Sequence, residues 1–348
     1  MKKFLLLVVL GVVAVVVFLT GGFQKPLFPS QQQRLADKQN KGRAEYRLAV
    51  EAHKQGNSFK ALWHYNRTIK FFPNHANAYY GRGTLKNDMG DYRGALADFT
   101  ESLRLNPKNA SAYNNRAYSK NHLEDYQGAL EDTTKAIELD PKSAYAYNNR
   151  GIAKDGLKDY YGAIADYDQS LLLRPDNAHA YTSRGNTKEE VGDYQGALQD
   201  HSKAIELQPN NAGAYLNRGI VKDDMQDYEG ALEDYTYALQ LSPRFASAYN
   251  NRGLTNRHLG RFQEALADFD HAIRLRPNFA IAYGNRGFVK VSLGFYQEGL
   301  ADYNRALQLD DSMEETYRYR AQVKKILGDT AGAAEDLAKS AQLLEQAR

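Results

Sequence analysis

Residues 144–177 read AYAYNNRGIAKDGLKDYYGAIADYDQSLLLRPDN. Two runs, about 144–157 and 160–173, read as helices, and a short Lys158–Asp159 turn separates them. Pro175 stops the second run, because proline has no N–H to continue the hydrogen-bond ladder. Within the stretch Tyr147 is fourth, Gly151 eighth and Ala163 twentieth. Small residues at the eighth and twentieth positions let the two helices approach closely.

The same arrangement recurs in both directions along the chain. Seven of the nine prolines, Pro73, Pro107, Pro141, Pro175, Pro209, Pro243 and Pro277, are spaced by 34 residues. The fourth position is Tyr79, Tyr113, Tyr147, Tyr181, Tyr215, Tyr249, Tyr283 and Tyr317. The eighth is Gly or Ala, and the twentieth is Ala except at Gly299. Counted from Gly42, nine repeats of 34 residues begin at 42, 76, 110, 144, 178, 212, 246, 280 and 314 and end at Ala347. A fixed period of this length means stacked supersecondary units. It replaces the two or three globular domains that 348 residues would otherwise suggest. The 25 tyrosines are explained too: positions four, seventeen and twenty-four hold 8, 6 and 4 of them, as core packing between helices.

Small residues at eight and twenty, bulky ones at four, seventeen and twenty-four, and proline at thirty-two together resemble the tetratricopeptide repeat over residues 42–347. The resemblance implies an all-α, right-handed superhelical solenoid of about nine helix-turn-helix repeats. Repeat one departs from the pattern with Glu45 at position four, and Asp311 and Glu345 replace proline in repeats eight and nine. Terminal repeats are atypical because they cap the stack.

Position seven, commonly leucine in the family, is Arg82, Arg116, Arg150, Arg184, Arg218, Arg252, Arg286 and Arg320 in repeats two to nine. Position twenty-three is aspartate in the same eight repeats, while repeat one has Leu48 and His64 at the two positions. Joint presence and joint absence predict a ladder of Arg–Asp pairs rather than an arginine stripe for phosphates.

In a helical-hairpin solenoid the first helices line the concave face, the usual binding surface. Position six carries Asn115, Asn149, Asn217, Asn251 and Asn285, interrupted by Ser183. This resembles the asparagine ladder in the repeats of O-linked N-acetylglucosamine transferase, and the resemblance implies carboxamides that hold the main chain of an extended peptide. An amide offers a donor and an acceptor to each peptide unit. Positions twelve and thirteen add Asp155, Glu189, Glu190, Asp223 and Asp224, which favour a basic partner segment or serve as a solvated acidic patch. Repeat eight places Ile281, Phe288 and Val291 on the groove, to anchor a partner or to pack on repeat nine. A clamp for a chaperone's carboxylate tail is disfavoured, since Thr182 and Ser247 stand where basic residues are needed.

Residues 1–23 read MKKFLLLVVLGVVAVVVFLTGGF. Phe4 to Phe23 are 20 uncharged residues, 16 of them apolar, enough as a helix to span ~30 Å of hydrocarbon. A secretory signal has a shorter core and a small-x-small cleavage site, and Thr20 and Gly22 make a poor one. An uncleaved anchor contacting the bilayer through residues 4–23 is therefore expected, followed by a spacer at 24–41 in which a polar, Gln-rich run compatible with a helix follows Pro26 and Pro29. Lys2 and Lys3 direct the repeats to the extracytoplasmic side, periplasmic if bacterial. Lys25, Arg34, Lys38, Lys41 and Arg43 lie just beyond the segment and leave a cytosol-facing orientation open.

The absence of cysteine excludes disulfides, thiolate metal sites and cysteine nucleophiles. There is no phosphate loop, zinc-binding His-Glu-x-x-His or nucleophile elbow, and repetition spreads each residue type along a line where an active site needs convergence. No cofactor is implied. The net charge of +3 divides into 6 basic and 1 acidic residue in 1–41, and 39 basic and 41 acidic in 42–348. The slightly acidic repeats do not suit nucleic acid. The expectation is a non-enzymatic, membrane-anchored scaffold that binds a protein or peptide, such as a membrane-complex subunit. Its alternative is an exported soluble adaptor released by cleavage.

Overall fold

The computed structural model describes residues 29–346, which hold 18 α-helices and no strand. The chain divides into two compact bodies, Met1–Leu85 and Lys86–Arg348. The first contains α1 (Gln31–Lys54) and α2 (Ser58–Phe71), and α3 (Ala76–Asp88) begins in it. The second continues as α4 (Tyr92–Leu105), α5 (Ala110–His122), α6 (Tyr126–Leu139), α7 (Ala144–Gly156), α8 (Tyr160–Leu173), α9 (Ala178–Glu190) and α10 (Tyr194–Leu207). It ends with α11 (Ala212–Asp224), α12 (Tyr228–Leu241), α13 (Ala246–His258), α14 (Phe262–Leu275), α15 (Ala280–Ser292), α16 (Tyr296–Leu309), α17 (Glu314–Ile326) and α18 (Thr330–Gln346). Two helices per 34 residues follow the sequence period, and α7 and α8 match the two runs expected at 144–157 and 160–173.

α1 starts at Gln31, inside the stretch expected as spacer, with the Ser30 hydroxyl accepting from the Gln33 N–H. The apolar segment 4–23 lies outside the described residues. Among those described, no helix is long and apolar enough to cross a membrane.

Each hairpin is closed by local chemistry. Asp91, Asp125, Asp159, Asp193, Asp227 and Asp329 cap their second helices, each accepting from the N–H three residues on. The fifteenth position of every repeat takes the left-handed conformation. It is glycine in six repeats, but Glu124, Lys158 and Gln226 adopt φ of 61–64° in three.

The small residue at position eight has a specific neighbour. A Cβ on Gly151 would lie 2.6 Å from the Tyr167 ring, and Gly219 and Gly287 meet Tyr235 and Tyr303 in the same way. Where position twenty-four is Thr133 or Leu337, position eight carries Ala117 or Ala321 instead. These rings and the alanines at position twenty are buried and form the core of each hairpin.

The Arg–Asp ladder is present. From Arg116–Asp132 to Arg320–Asp336, each guanidinium places Nη2 2.5–2.7 Å from Oδ1 of its aspartate. Nε bonds the other oxygen, so the pairs are bidentate. The sequence reading missed the third member. The lysine at position eleven reaches the same carboxylate, as Lys120, Lys154, Lys188, Lys222, Lys290 and Lys324 do at 2.7–3.0 Å. In repeat seven Asn256 donates to Asp268 instead. The arginine's remaining Nη1 crosses to the preceding repeat, where Arg184 meets Asp168, Arg286 meets Asp270 and Arg320 meets Asn304. At these steps the ladder fastens one hairpin to the one before it.

Repeat one reverses the polarity. Glu45 on α1 accepts from His64 Nδ1 at 2.6 Å and from Arg67 Nε at 2.7 Å. Burial opposes ionisation of Glu45, but these bonds outweigh it and hold the carboxyl below its usual range.

Candidate protein-binding groove

In the second body the first helices of successive repeats touch one another: α5 with α7, α7 with α9, and so on to α15 with α17. Their second helices make no such contacts with each other. The first helices are therefore the more closely spaced row and line the inner side of the curve. The expected groove residues stand on this row.

The five position-six asparagines fall into three separate hydrogen-bonded sets, each joining two neighbouring repeats. Asn149 Nδ2 donates to Asn114 Oδ1 at 2.9 Å and Asn285 Nδ2 to Asn250 Oδ1 at 3.2 Å. Asn217 Nδ2 donates to Asn186 Oδ1 at 3.0 Å. Asn115 and Asn251 each accept from the asparagine beside them, Asn114 and Asn250. The carboxamides therefore link neighbouring first helices along the groove. Two further acceptors went unnoticed in sequence. Asn121 and Asn148 are buried, and the Oδ1 of each has no hydrogen-bond partner. Asn121 spends its Nδ2 on the Asn149 carbonyl oxygen at 2.9 Å.

The five carboxylates divide into two kinds. Asp155 accepts from Thr187 Oγ1 at 2.7 Å, and Asp223 from Thr255 Oγ1 at 2.6 Å. These two serve the stacking of repeats. Glu189, Glu190 and Asp224 on α9 and α11 form a cluster on the groove. Burial, then the Asp224 charge, then that of Glu190 push the Glu189 carboxyl up to about 7. Burial and Asp223 raise Asp224 as well. Among the described residues no group of three or more His, Asp or Glu side chains is arranged to hold a metal ion.

The apolar trio of repeat eight also separates. Phe288 lies between the Arg257 guanidinium, 4.7 Å from its ring centre, and Tyr319 of repeat nine at 5.4 Å. Val291 packs against Gly299 on α16. Ile281 remains 51% exposed.

Models of the tetratricopeptide repeat match residues 76–109, 110–143, 144–177 and 246–279, and a TPR repeat model matches 190–222 and 224–260. Together these cover more than half of the chain. The chain belongs to the tetratricopeptide repeat (TPR) family. No curated protein matches this TPR protein. Among solved structures it is similar to a tetratricopeptide repeat protein of Parabacteroides merdae, with 21% identity and a TM-score of 0.57 over 71% of this chain and 98% of that one. It is also similar to the Cut9–Hcn1 hetero-tetramer of the APC/C, with 15% identity and a TM-score of 0.60 over 87% of this chain and 64% of that one. YrrB, a TPR protein with an unusual peptide-binding site, is 25% identical at a TM-score of 0.44, over 53% of this chain and 95% of its own. The fold is a TPR solenoid, a scaffold suited to binding protein.

Proposed function

We propose that this TPR protein is a membrane-anchored, non-catalytic scaffold that holds an extended segment of a partner protein along its first-helix groove. The observation that carries the reading is the polarity of repeats three to six. There, the Asn115 and Asn217 carboxamides stand half-buried on the first-helix row, with the cluster of Glu189, Glu190 and Asp224 on α9 and α11. An extended peptide brings backbone N–H groups to the first, and a basic side chain meets the second. The apolar segment 4–23 confines the complex to the bilayer, with the right-handed solenoid on the extracytoplasmic side, so the role is assembly of a membrane or envelope complex. The test is photo-crosslinking from groove positions in native membranes. Asn217→Ala and Asp224→Lys are expected to lose the crosslinked partner, while a variant of an outer face, Gln195→Ala, retains it. Capture unchanged in both groove variants would assign partner binding to another surface.

A further inference from the structure

The first hairpin is unlike the others on its outer side. Phe59, Trp63, Asn66 and Lys70 lie at i, i+4, i+7 and i+11 on α2, which puts them on one stripe of the helix. Phe59 is 83% exposed and Trp63 52%, although both are large aromatics. No other repeat carries aromatic residues at both of these positions. Lys60 borders the stripe, and α2 contains no carboxylate. The Arg67 guanidinium stacks 4.5 Å over the Trp63 ring, holding the indole against the helix surface.

Charge agrees with this composition. Residues 29–75 carry 9 Lys and Arg against 3 Asp and Glu, whereas residues 76–348 carry 33 against 39. One of the three carboxylates, Glu45, is already held by His64 and Arg67. A hairpin of exposed aromatics ringed by cations, at the head of an otherwise acidic chain, is the chemistry of an anionic membrane surface. Tryptophan settles at the headgroup level, and each lysine near such a surface adds electrostatic attraction. Helix α1 begins eight residues after the apolar segment 4–23, so an anchored chain has this hairpin nearest the bilayer.

We propose that the α1–α2 hairpin is a second membrane contact, with Phe59, Trp63, Lys60 and Lys70 seated in the headgroup layer of a bilayer containing anionic phospholipid. This rests on the anchoring reading, because residues 4–23 bring the hairpin to the surface. Its consequence is mechanical: the solenoid's first repeat is fixed against the bilayer rather than swinging on a tether.

Trp63 is the single tryptophan of the chain, so its fluorescence reports this site alone. The full chain is reconstituted into vesicles of phosphatidylcholine, with or without about one-third phosphatidylglycerol, and quenched with lipid brominated near the headgroup. Retention after alkaline wash and flotation reads anchoring separately. Docking is supported by a blue-shifted Trp63 quenched in the anionic vesicles, by reversal at high salt, and by at least a halving of quenching in Lys60→Glu/Lys70→Glu. Helical content and flotation of that variant are expected to stay unchanged. A chain that floats while Trp63 stays unquenched in both vesicle types overturns docking and leaves anchoring intact. A chain that is washed off with Trp63 unquenched overturns both. A concentration-dependent blue shift without vesicles assigns the face to a second copy of the chain and overturns the lipid assignment.

Discussion

His201 occupies position twenty-four of its repeat, where Tyr167, Tyr235 and Tyr303 stand in others. It is 0% exposed, and neither ring nitrogen has a hydrogen-bond partner. Burial drives its pKa down to about 4. Above pH 6.5 the ring is neutral in both folded and unfolded chains and contributes nothing to pH dependence. Between pH 6.5 and 4 the unfolded chain binds a proton that the folded chain refuses. Stability then falls by about 1.4 kcal/mol per pH unit, to a total of about 3 kcal/mol. Gly185 leaves the same space that Gly151 leaves for Tyr167, so His201→Tyr is expected to fold and to lose this acid sensitivity. Urea denaturation at pH 7 and 4.5 checks it; an equal pH dependence in both proteins would place the sensitivity elsewhere. The ladder makes a second residue-scale expectation. Asp234 binds Arg218 and Lys222, so Asp234→Ala leaves two cations without their carboxylate, whereas Arg218→Ala leaves Lys222 in place. Asp234→Ala is expected to cost about 3 kcal/mol and Arg218→Ala less, with a coupling above about 1 kcal/mol in the double-mutant cycle. The Arg–Asp pairing was legible because both residues vanish together in repeat one. The lysine at position eleven recurs almost as regularly, but a lysine on a helix is ordinarily solvated. Only the packed hairpin shows that it turns inward to the same carboxylate.

Helix ends follow from the chemistry of their turns. The left-handed fifteenth position costs little for glycine and about 1 kcal/mol for a residue with a Cβ. Glu124→Gly, Lys158→Gly and Gln226→Gly are therefore each expected to stabilise by about 0.5 kcal/mol, after the entropy glycine adds to the unfolded chain is subtracted. The three combined should raise the melting temperature, which differential scanning calorimetry measures; a lowered one would mean that their side chains hold the turn. The second helices of repeats seven and eight begin after Arg261 and Phe295, which make no side-chain cap bond. Phe295→Asp restores the acceptor used in six other repeats and is expected to add about 1 kcal/mol. The ends of the second helices were legible in sequence because Pro follows them at a fixed interval. The Gln-rich run before residue 42 was legible as compatible with a helix, but the residue at which α1 starts was not. From Gln31 to Lys41 the helix is largely exposed, so no apolar stripe announces it, and only the Ser30 cap fixes where it begins.

Across the second body the groove is one row of side chains contributed by many helices, and its behaviour depends on how those helices are set side by side. Sequence position alone placed Asn149 and Glu189 on the inner row. It did not show that Asn149 is bonded to Asn114 or that Glu189 faces Asp224, because both depend on the register between neighbouring hairpins. That register gives the groove a pH response. Glu189, raised to about 7, is largely protonated at pH 6 and ionised at pH 8, so the cluster gains negative charge across this range. A basic segment seated there favours the ionised form, which by linkage makes its affinity rise as pH rises. We expect a fluorescent extended peptide bearing two or three lysines to bind a few-fold tighter at pH 8 than at pH 6, at fixed low ionic strength. Glu189→Gln should flatten that profile, because it removes the titrating group while keeping a side chain of the same shape. Fluorescence anisotropy titrations measure it, and they separate two origins of charge selectivity. A rise that persists in Glu189→Gln belongs to another group, while a flat profile in the unmodified chain means that the peptide seats away from repeats five and six. A rise abolished by the substitution ties recognition to the one place where burial and two neighbouring carboxylates, on α9 and α11, act on the same side chain.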